Sequence, residues 1–360
     1  MSATRTQHDY TIGIICALSL ERTALEAMLD GCHDIMPCEP GDTNTYTFGA
    51  TGKHNVVIAC LGFGDSGMIS ASVVADNLRR SYPSIKLGFM VGIAGAAPHA
   101  DDESGGLFLG DVVVGCIKGV PSVINFSLGK ETTHGFDIRS ELAEPPLALQ
   151  TVVSALEAAY QGSGPTYLNQ LQDNIGGNPY LDRKPLSKDY FNMPETPDVL
   201  NATTDTSEFV PRKPRFLRDP PPGLEEAKFI TTLTGSDNEI WFQYPVVHYG
   251  TIACSDTLIQ SGAERERVHR LIKDQRKADV LCFETEAAGV VKDWPCLVIR
   301  GLSHYADEHQ DQAWQNFAAA TAAAYARNLL LRLAPQVVGS RGSVKGGERV
   351  TLLRDRCKRR

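Results

Sequence analysis

The stretch VLCFETEAAGVVKDWPCLVIRGLSHYAD, residues 280–307, decides the predicted fold. It contains two short apolar runs, Val280–Phe283 and Cys296–Ile299, which have the length and composition of buried strands. Between them, the small residues 287–291 begin a helix and Pro295 marks a turn. This alternation predicts an α/β protein, in which ligands bind beyond the carboxyl ends of the strands.

Polar side chains follow both apolar runs. Glu284, Thr285 and Glu286 come after the first run, and residues 300–304 come after the second. A carboxylate at a helix start often only complements the helix dipole, and a His after a strand is often a loop residue. Glu286 directly precedes an apolar helix, so its carboxylate needs a partner there. A sugar diol is a suitable partner, because one carboxylate can accept both hydroxyl protons.

The motifs FETEAAG (283–289) and CLVIRGLSHYAD (296–307) resemble those of the nucleoside phosphorylase and nucleosidase superfamily. The resemblance is strongest to a fungal branch that is found alone or fused to NACHT or ankyrin modules. It covers roughly residues 10–333, apart from a middle insertion. It implies a phosphorylase/hydrolase-like three-layer α/β/α fold with a mixed central sheet and a long insertion. It also implies a homodimer or larger homo-oligomer.

Composition and charge exclude several classes of protein. The 360 residues are 42% hydrophobic and 22% charged, as in soluble globular proteins, and the net charge of −8 argues against nucleic-acid binding. No run of about 18 apolar residues predicts a membrane span, and the first ten residues lack the apolar core of a signal peptide. Nine scattered cysteines without a C-x-x-C pair indicate reduced thiols in a cytoplasmic protein. No metal-ligand spacing appears, and no cofactor is expected.

A single domain is predicted over residues 10–335. Residues 161–240 are rich in Pro, Asn, Asp and Arg, so we expect an insertion there with little regular structure, covering either the active site or a subunit interface. Trp314–Leu333 is predicted to be an amphipathic helix that closes the sheet. The basic residues 336–360 are interpreted as a flexible tail.

The segment LGFGDSGM, residues 61–68, has the G-x-G-x-x-G spacing of a dinucleotide-binding fingerprint. A Rossmann interpretation needs an acidic residue about 20 positions further on, and residues 86–89 offer none. A tight turn with close helix packing is therefore favoured, with a dehydrogenase as the alternative.

Glu21 lies between a predicted strand, residues 10–18, and a predicted helix, residues 21–29. By itself it is interpreted as a first-turn Glu that complements the helix dipole. The superfamily resemblance instead implies a Glu that holds and activates the attacking water. Phosphorylases carry a Gly-Asp-Pro-type phosphate loop near this position and an Arg-x-Gly-Ser/Thr motif where this chain has Met90–Ile93. Both are absent here, which favours water over phosphate as the nucleophile.

The resemblance also implies a substrate-binding set. The ribose and the nucleophile are expected near a glycine-rich strand end, where backbone N–H groups can approach a ligand. That strand end comprises Gly92, Ile93, Ala94 and Gly95.

The purine is expected near the loop at residues 256–259. Leu258 would cover the ring and the Ile259 backbone would bond its edge, although core packing would require the same side chains. Asp256 is a further pocket candidate. Phe126 is either a pocket residue or an ordinary core aromatic. Thr285 replaces the Met that often precedes the ribose carboxylate.

His304 occupies the position where the superfamily normally has an Asp that acts as the acid. It could act as the acid itself, since its reference pKa is about 6.5. Alternatively, the change has shifted the preferred base, or has abolished activity and left a binding module. Asp307 could compensate if the loop turns it inward.

The residues and the resemblance together predict a purine nucleoside N-ribosyl hydrolase. Glu21 would hold the water, Glu286 would bind the ribose diol, and an acid near purine N7 would assist departure of the base. The alternatives are a purine nucleoside phosphorylase and a nucleoside-sensing module.

Overall fold

The computed structural model describes residues 5–98, 106–140, 144–174, 188–190, 192–194, 199–201, 209–211, 227, 230–234, 240–309 and 312–335. The strands are β1 (Ile12–Cys16), β2 (Gly31–Cys32), β3 (Tyr46–Thr51), β4 (His54–Cys60), β5 (Leu87–Ala96), β6 (Val112–Val114), β7 (Val123–Asn125), β8 (Gly129–Thr132), β9 (Gly135–Ile138), β10 (Val199–Asn201), β11 (Phe209–Pro211), β12 (Thr231–Thr234), β13 (Ile240–Gln243), β14 (Val247–Tyr249), β15 (Thr251–Cys254), β16 (Val280–Glu284) and β17 (Cys296–His304). The α-helices are α1 (Ser19–Ala27), α2 (Gly67–Ser81), α3 (Leu147–Ser163), α4 (Tyr167–Asn174), α5 (Gly262–Arg276), α6 (Ala287–Val291) and α7 (Gln315–Arg332).

A mixed sheet of 11 strands forms the centre of the described part of the molecule. Four strands in the order β17-β5-β1-β4 run parallel, and β6 and β3 pair antiparallel with β17 and β4 at either side. The far end of β5 also pairs with β16 through Gly95 and Ala96. The carboxyl end of β5 therefore lies between β16 and β17.

Helices cover both faces of this sheet. On one face α7 packs against β17, β5 and α1, and on the other α2 packs against α6 and β1. Gly301 lets α7 approach closely, because a Cβ at this position would collide with the carbonyl oxygen of Ala318. Gly289 plays the same part between α6 and the carbonyl oxygen of Met68. The predicted three-layer α/β/α class with a mixed sheet is confirmed.

The 280–307 stretch folds as predicted, with one extension. β16, α6 and β17 follow in the expected order, but β17 continues five residues beyond the apolar run, through His304. Arg300, at 0% exposure, is thus a buried strand residue.

The segment at residues 61–68 is a tight turn. Asp65 N–H donates to the Gly62 carbonyl at 2.9 Å, and Gly64 and Gly67 have φ of +82° and +89°, which only glycine adopts readily. α2 begins directly after this turn, at Gly67.

The described part of the predicted insertion includes the short helix α4 and a few strands of three or four residues. α4 packs on α7, and Arg327 Nε donates to Gln170 Oε1 at 2.6 Å. Helix α7 is consequently buried along most of its length by α1, α3, α4 and the sheet, so its predicted amphipathic character is wrong. The predicted tail at 336–360 lies outside the described residues. Within the described ranges, no helix combines the length and apolarity of a membrane span.

Candidate active site

Glu21, in the first turn of α1, is held by backbone donors from two segments. Its Oε2 accepts the N–H groups of Ala17 and Leu18 at 2.7 and 2.9 Å, and its Oε1 accepts the Ile93 N–H at 2.7 Å. The side chain is 2% exposed. Burial raises the pKa of Glu21 above the ordinary carboxyl range, against the opposing effects of Arg300 and these N–H groups. The carboxylate is thus fixed in place and more basic than a surface Glu.

Gly92 lets the side chains of Glu21 and Arg300 both lie close against the backbone of β5. A Cβ at this position would collide with Glu21 Oε1 and with Arg300 Nη1. The Nη1 and Nε atoms of Arg300 are buried and have no hydrogen-bond partner among the described residues. An acceptor carboxylate and an unsatisfied donor therefore meet at a glycine, where a small polar ligand could bridge them.

Substituting Gly92→Ala should disrupt this arrangement. The added methyl group overlaps Glu21 and Arg300, so we expect a loss of about 1–3 kcal/mol in the free energy of unfolding, with loss of any activity that depends on the pair. Urea denaturation measures the stability. Gly31→Ala is the matched control, because a Cβ there meets nothing within 4 Å. Equal stability of the two variants would contradict the overlap.

Arg300 joins three carboxylates. Its Nη2 bonds Glu284 Oε2 and lies 3.6 Å from Glu286 Oε2. Burial by itself would lower the pKa of Arg300. The negative charges of Glu284, Glu286 and Glu21 outweigh this effect and raise the pKa above its ordinary value, so the guanidinium stays charged. Burial also raises the pKa of Glu284, which Arg300 opposes. A single cation therefore compensates three buried acidic groups.

Glu286 precedes α6 in the chain and is 6% exposed, and its carboxylate lies at the N-terminal end of α2. Its Oε1 accepts the Thr285 hydroxyl and, at 3.4 Å, the Gly67 N–H, while the next N–H of the helix, from Met68, donates to Asp256 Oδ1 at 2.9 Å. The N-cap residue Ser66 makes no side-chain cap bond. Two acidic residues from distant segments thus take its place, and the helix dipole favours their charge. Asp256 is therefore placed to tether the 255–259 loop to α2.

His304, at the end of β17, packs against Gly95, where a Cβ would lie 2.6 Å from the imidazole Cε1. Its Nδ1 accepts the Ala306 N–H at 3.0 Å, so in the neutral ring the proton is on Nε2. Burial lowers the pKa of His304 to about 4. The ring is therefore neutral at pH 7, which differs from the expected proton donor with a pKa near 6.5.

His304 should make the fold less stable in acid. Its pKa is about 4 in the folded chain and about 6.5 in the unfolded chain, so only the unfolded chain binds a proton between these limits, and stability falls as pH falls from 6.5 to 4. The contribution is at most about 3 kcal/mol. His304→Asn, which keeps an acceptor for Ala306, should flatten the pH dependence of the free energy of unfolding in this window. The exposed His8→Asn should not, and an unchanged slope in His304→Asn would contradict the assignment.

The predicted purine-side residues surround a separate cavity of about 550 Å³. Phe126, Leu258 and Ile259 line it together with Ser255 and Phe136. Phe126 also packs edge-to-face on Phe283, with ring centroids 6.0 Å apart. The walls do not include Glu21, Glu286 or His304, so these apolar residues lie beside the carboxylate cluster and not within it.

The side chain of Asp307 faces helix α5. Its Oδ2 lies 3.8 Å from Arg265 Nη1 and its Oδ1 accepts the His309 N–H at 3.0 Å. Arg265 in turn donates to the carbonyl oxygen of Tyr305 at 2.8 Å. Asp307 therefore fixes the loop after β17 to α5, and we do not assign it a chemical role.

Two polar residues of the cluster, Arg300 and Glu284, had no role in the sequence interpretation. Both lie in the 280–307 stretch, and both are almost fully buried. One sequence feature could have indicated this ion pair. Glu284 and Arg300 each directly follow an apolar run of strand length, and they are sixteen residues apart. Ala94, from the predicted ribose set, contributes a carbonyl oxygen that accepts the Ser303 hydroxyl at 3.4 Å. No group of His, Cys, Asp and Glu in the described ranges is arranged to hold a metal ion.

Sequence comparison finds one informative relative. The chain is 32% identical over 333 residues to a nucleotide-binding leucine-rich repeat (NLR)-like protein of Hyaloscypha variabilis. The match covers 92% of this chain but 30% of that protein, so the chain spans less than a third of the relative's length. No protein-family model matches the chain.

Solved structures resemble the chain over most of its length. The 5′-methylthioadenosine/S-adenosylhomocysteine nucleosidase of Neisseria meningitidis, in complex with methylthio-immucillin-A, superposes with a TM-score of 0.52 at 15% identity and covers 90% of this chain and 99% of its own. Futalosine hydrolase of Helicobacter pylori gives 0.52 at 14% identity, covering 90% and 99%. The S-adenosylhomocysteine nucleosidase of Streptococcus pyogenes gives 0.51 at 16% identity, covering 93% and 100%. In its fold, the chain therefore resembles these nucleosidases and futalosine hydrolase over most of its length.

Proposed function

We propose that the chain is a purine nucleoside N-ribosyl hydrolase that uses water to release the free base and ribose. The observation that carries the proposal is the convergence of Glu21 Oε1 and the unsatisfied Arg300 Nη1 at Gly92. A water molecule can donate to the carboxylate and accept from the guanidinium at once. The nucleosidase fold of the structural relatives supports the same reaction class.

Glu21 is the general base in this mechanism. The three backbone N–H groups prevent the carboxylate from rotating, so its remaining lone pairs are directed at a fixed point. Its raised pKa makes it a better proton acceptor than a surface Glu. The water oxygen forms the bond to C1′ of the ribose as the bond from C1′ to the base nitrogen breaks.

Glu286 binds the ribose hydroxyls. Its carboxylate is oriented by Thr285, Gly67 and Arg300, and hydroxyl donors suit its free lone pairs. The excess of carboxylate over guanidinium in the cluster favours the positive charge that develops on the ribosyl group. The buried carboxylates thus stabilise the transition state more than the neutral substrate.

His304 acts on the base as a hydrogen-bond donor. Because Nδ1 is occupied by the Ala306 N–H, Nε2–H is the group left to donate to an acceptor nitrogen of the purine. A pKa of about 4 keeps this donor neutral across the physiological range, so the rate should show no acidic limb from His304 near neutrality. The Leu258 and Ile259 loop, tethered to α2 through Asp256, supplies the apolar wall for the ring.

A nucleoside-sensing module is the second candidate. The low pKa of His304 removes a proton donor at neutral pH, and the NLR-like relative is a nucleotide-binding protein by its description. A sensor would bind nucleosides without turnover.

Incubation with adenosine, inosine and guanosine, with and without phosphate, tests the proposal. Chromatography should show free base and ribose at a rate that does not depend on phosphate. Ribose 1-phosphate formed only with phosphate would establish a phosphorylase instead. Binding of a nucleoside by calorimetry without any product would establish the sensing module.

The proposal extends to the domain boundaries and the oligomeric state of the chain. We infer one catalytic domain over residues 10–335 with the 161–240 segment inserted into it, assembled as a homodimer or larger homo-oligomer as the superfamily resemblance implies. Light scattering of the purified chain measures the assembly directly.

A further inference from the structure

Cys16 and Cys60 are the last residues of β1 and β4, and they form a register pair between these parallel strands. Neighbouring strands are about 4.8 Å apart, and paired residues project to the same face of the sheet. A disulfide spans Cα atoms that are roughly 4.4–6.8 Å apart. The backbone therefore places the two cysteines at a separation that a disulfide can bridge.

Each thiol also contacts a backbone carbonyl oxygen next to the other cysteine in the chain. Cys16 Sγ lies 3.6 Å from the Ala59 carbonyl oxygen, and Cys60 Sγ lies 3.6 Å from the Ala17 carbonyl oxygen. The pair is thus a preformed dithiol.

The two thiols differ in access and reactivity. Cys16 is fully buried, while Cys60 is half-buried and lines a cavity of about 560 Å³ with Arg22, Leu61 and Phe63. The hydrogen bond from Cys16 lowers the pKa of Cys60 despite its burial, and it raises the pKa of Cys16. An accessible thiol with thiolate character backed by a second thiol is the arrangement of a redox-responsive pair.

We propose that Cys16 and Cys60 form a reversible disulfide on reaction with a peroxide. The Cys60 thiolate attacks one peroxide oxygen, the O–O bond breaks, and Cys60 becomes a sulfenic acid as water leaves. The Cys16 sulfur then attacks the Cys60 sulfur, the S–O bond breaks, and a second water leaves. Two thiols are oxidised and one peroxide is reduced, and a dithiol reductant reverses the reaction.

The disulfide would act on the site described above, and this part of the inference rests on the proposed function. The Ala17 carbonyl oxygen accepts a hydrogen bond from the Cys60 thiol, and the Ala17 N–H donates one to Glu21 Oε2. Oxidation removes the thiol that donates to the Ala17 carbonyl oxygen, so Ala17 loses this contact and its N–H is no longer held in place. Glu21 then loses its fixed orientation, so oxidation switches the hydrolase off.

Peptide mapping tests the disulfide without any assay of activity. The reduced chain is treated with hydrogen peroxide, its free thiols are blocked with N-ethylmaleimide, and trypsin is added. Cleavage after Lys or Arg yields residues 6–22, which contain Cys16 as their one cysteine, and residues 54–79, which contain Cys60 as theirs. The expected product is the linked pair of these two peptides, lost on treatment with dithiothreitol.

Three variants sharpen the mapping. Cys60→Ser should abolish the link, and Cys16→Ala should leave Cys60 as a sulfenic acid that dimedone traps. Cys38→Ser, at an exposed cysteine, should leave the link unchanged. The proposal is overturned if peptide 54–79 carries only N-ethylmaleimide at peroxide concentrations that oxidise Cys38, or if Cys60 links instead to the 23–53 peptide.

The rate of nucleoside hydrolysis distinguishes formation of the disulfide from its effect on activity. Peroxide should lower kcat of the wild type at least tenfold, reversibly with dithiothreitol, and leave Cys60→Ser unaffected. A link that forms without a change in rate upholds the disulfide and overturns the switch. A chain that hydrolyses no nucleoside in its reduced form contradicts the proposed function, while the peptide map still decides on the disulfide.

Discussion

Substitution of Glu21 by Gln is expected to lower kcat for purine nucleoside hydrolysis by at least about 100-fold, the range lost with a general base. The amide cannot take a proton from water. Its NH₂ group would also face a backbone N–H, because both carboxylate oxygens already accept such donors from Ala17, Leu18 and Ile93. Steady-state kinetics on the best of the three nucleosides provides the measurement.

Glu26→Gln is the matched control for this experiment. Glu26 lies on the same helix, but its carboxylate bonds Arg22 and Thr47 outside the cluster. We expect kcat near the wild-type value for it, and thermal unfolding should show that both variants are folded. A Glu21→Gln variant with wild-type kcat would remove Glu21 from the mechanism.

Substitution of Arg300 by Gln is expected to lower the free energy of unfolding by about 3–5 kcal/mol, because it leaves buried carboxylates without their cation. Glu284, Glu286 and Glu21 all face this guanidinium, which is 0% exposed. The matched control is Arg267→Gln. Arg267 pairs with Glu264 at the surface, and the expected loss there is about 0–1 kcal/mol.

The loss in Arg300→Gln should also depend on pH. Without the guanidinium, the pKa values of Glu21 and Glu284 in the folded chain rise further above the unfolded value, because Arg300 opposes the effect of burial at both. The folded chain then binds more protons than the unfolded chain, so the variant becomes less stable as pH rises and recovers part of the loss as pH falls. Denaturation at several pH values measures this slope. A loss equal to that of Arg267→Gln at every pH would contradict the carboxylate cluster.

Local patterns predicted much of the fold. Apolar runs of strand length and the helical spacing between them were enough for β1, α1, β16 and α6, because these elements bury a continuous or periodic apolar face. Boundaries were less well predicted where polar residues are buried. The run ending at Ile299 suggested the end of a strand, but β17 extends through His304 because the charge of Arg300 is compensated inside the protein.

Helix α7 illustrates the limits of a periodic pattern. Its Ala-rich sequence suggested one apolar face, yet residues all around the helix are buried. Small side chains carry little information about which face is covered. Part of the cover comes from α4, which belongs to a segment whose composition predicted little regular structure.

The sequence by itself determined the α/β class, the order of the main elements and the interest of Glu286, and its resemblance to the superfamily added Glu21. The tertiary structure decided which polar groups meet. Glu21 binds the Ile93 N–H, 72 residues away, and Glu286 binds the Gly67 N–H, 219 residues away. It also turned Asp307 toward Arg265 and lowered the pKa of His304. The physical reason is that burial, charge compensation and hydrogen-bond geometry depend on distances in space between segments far apart in the chain, which local patterns do not encode.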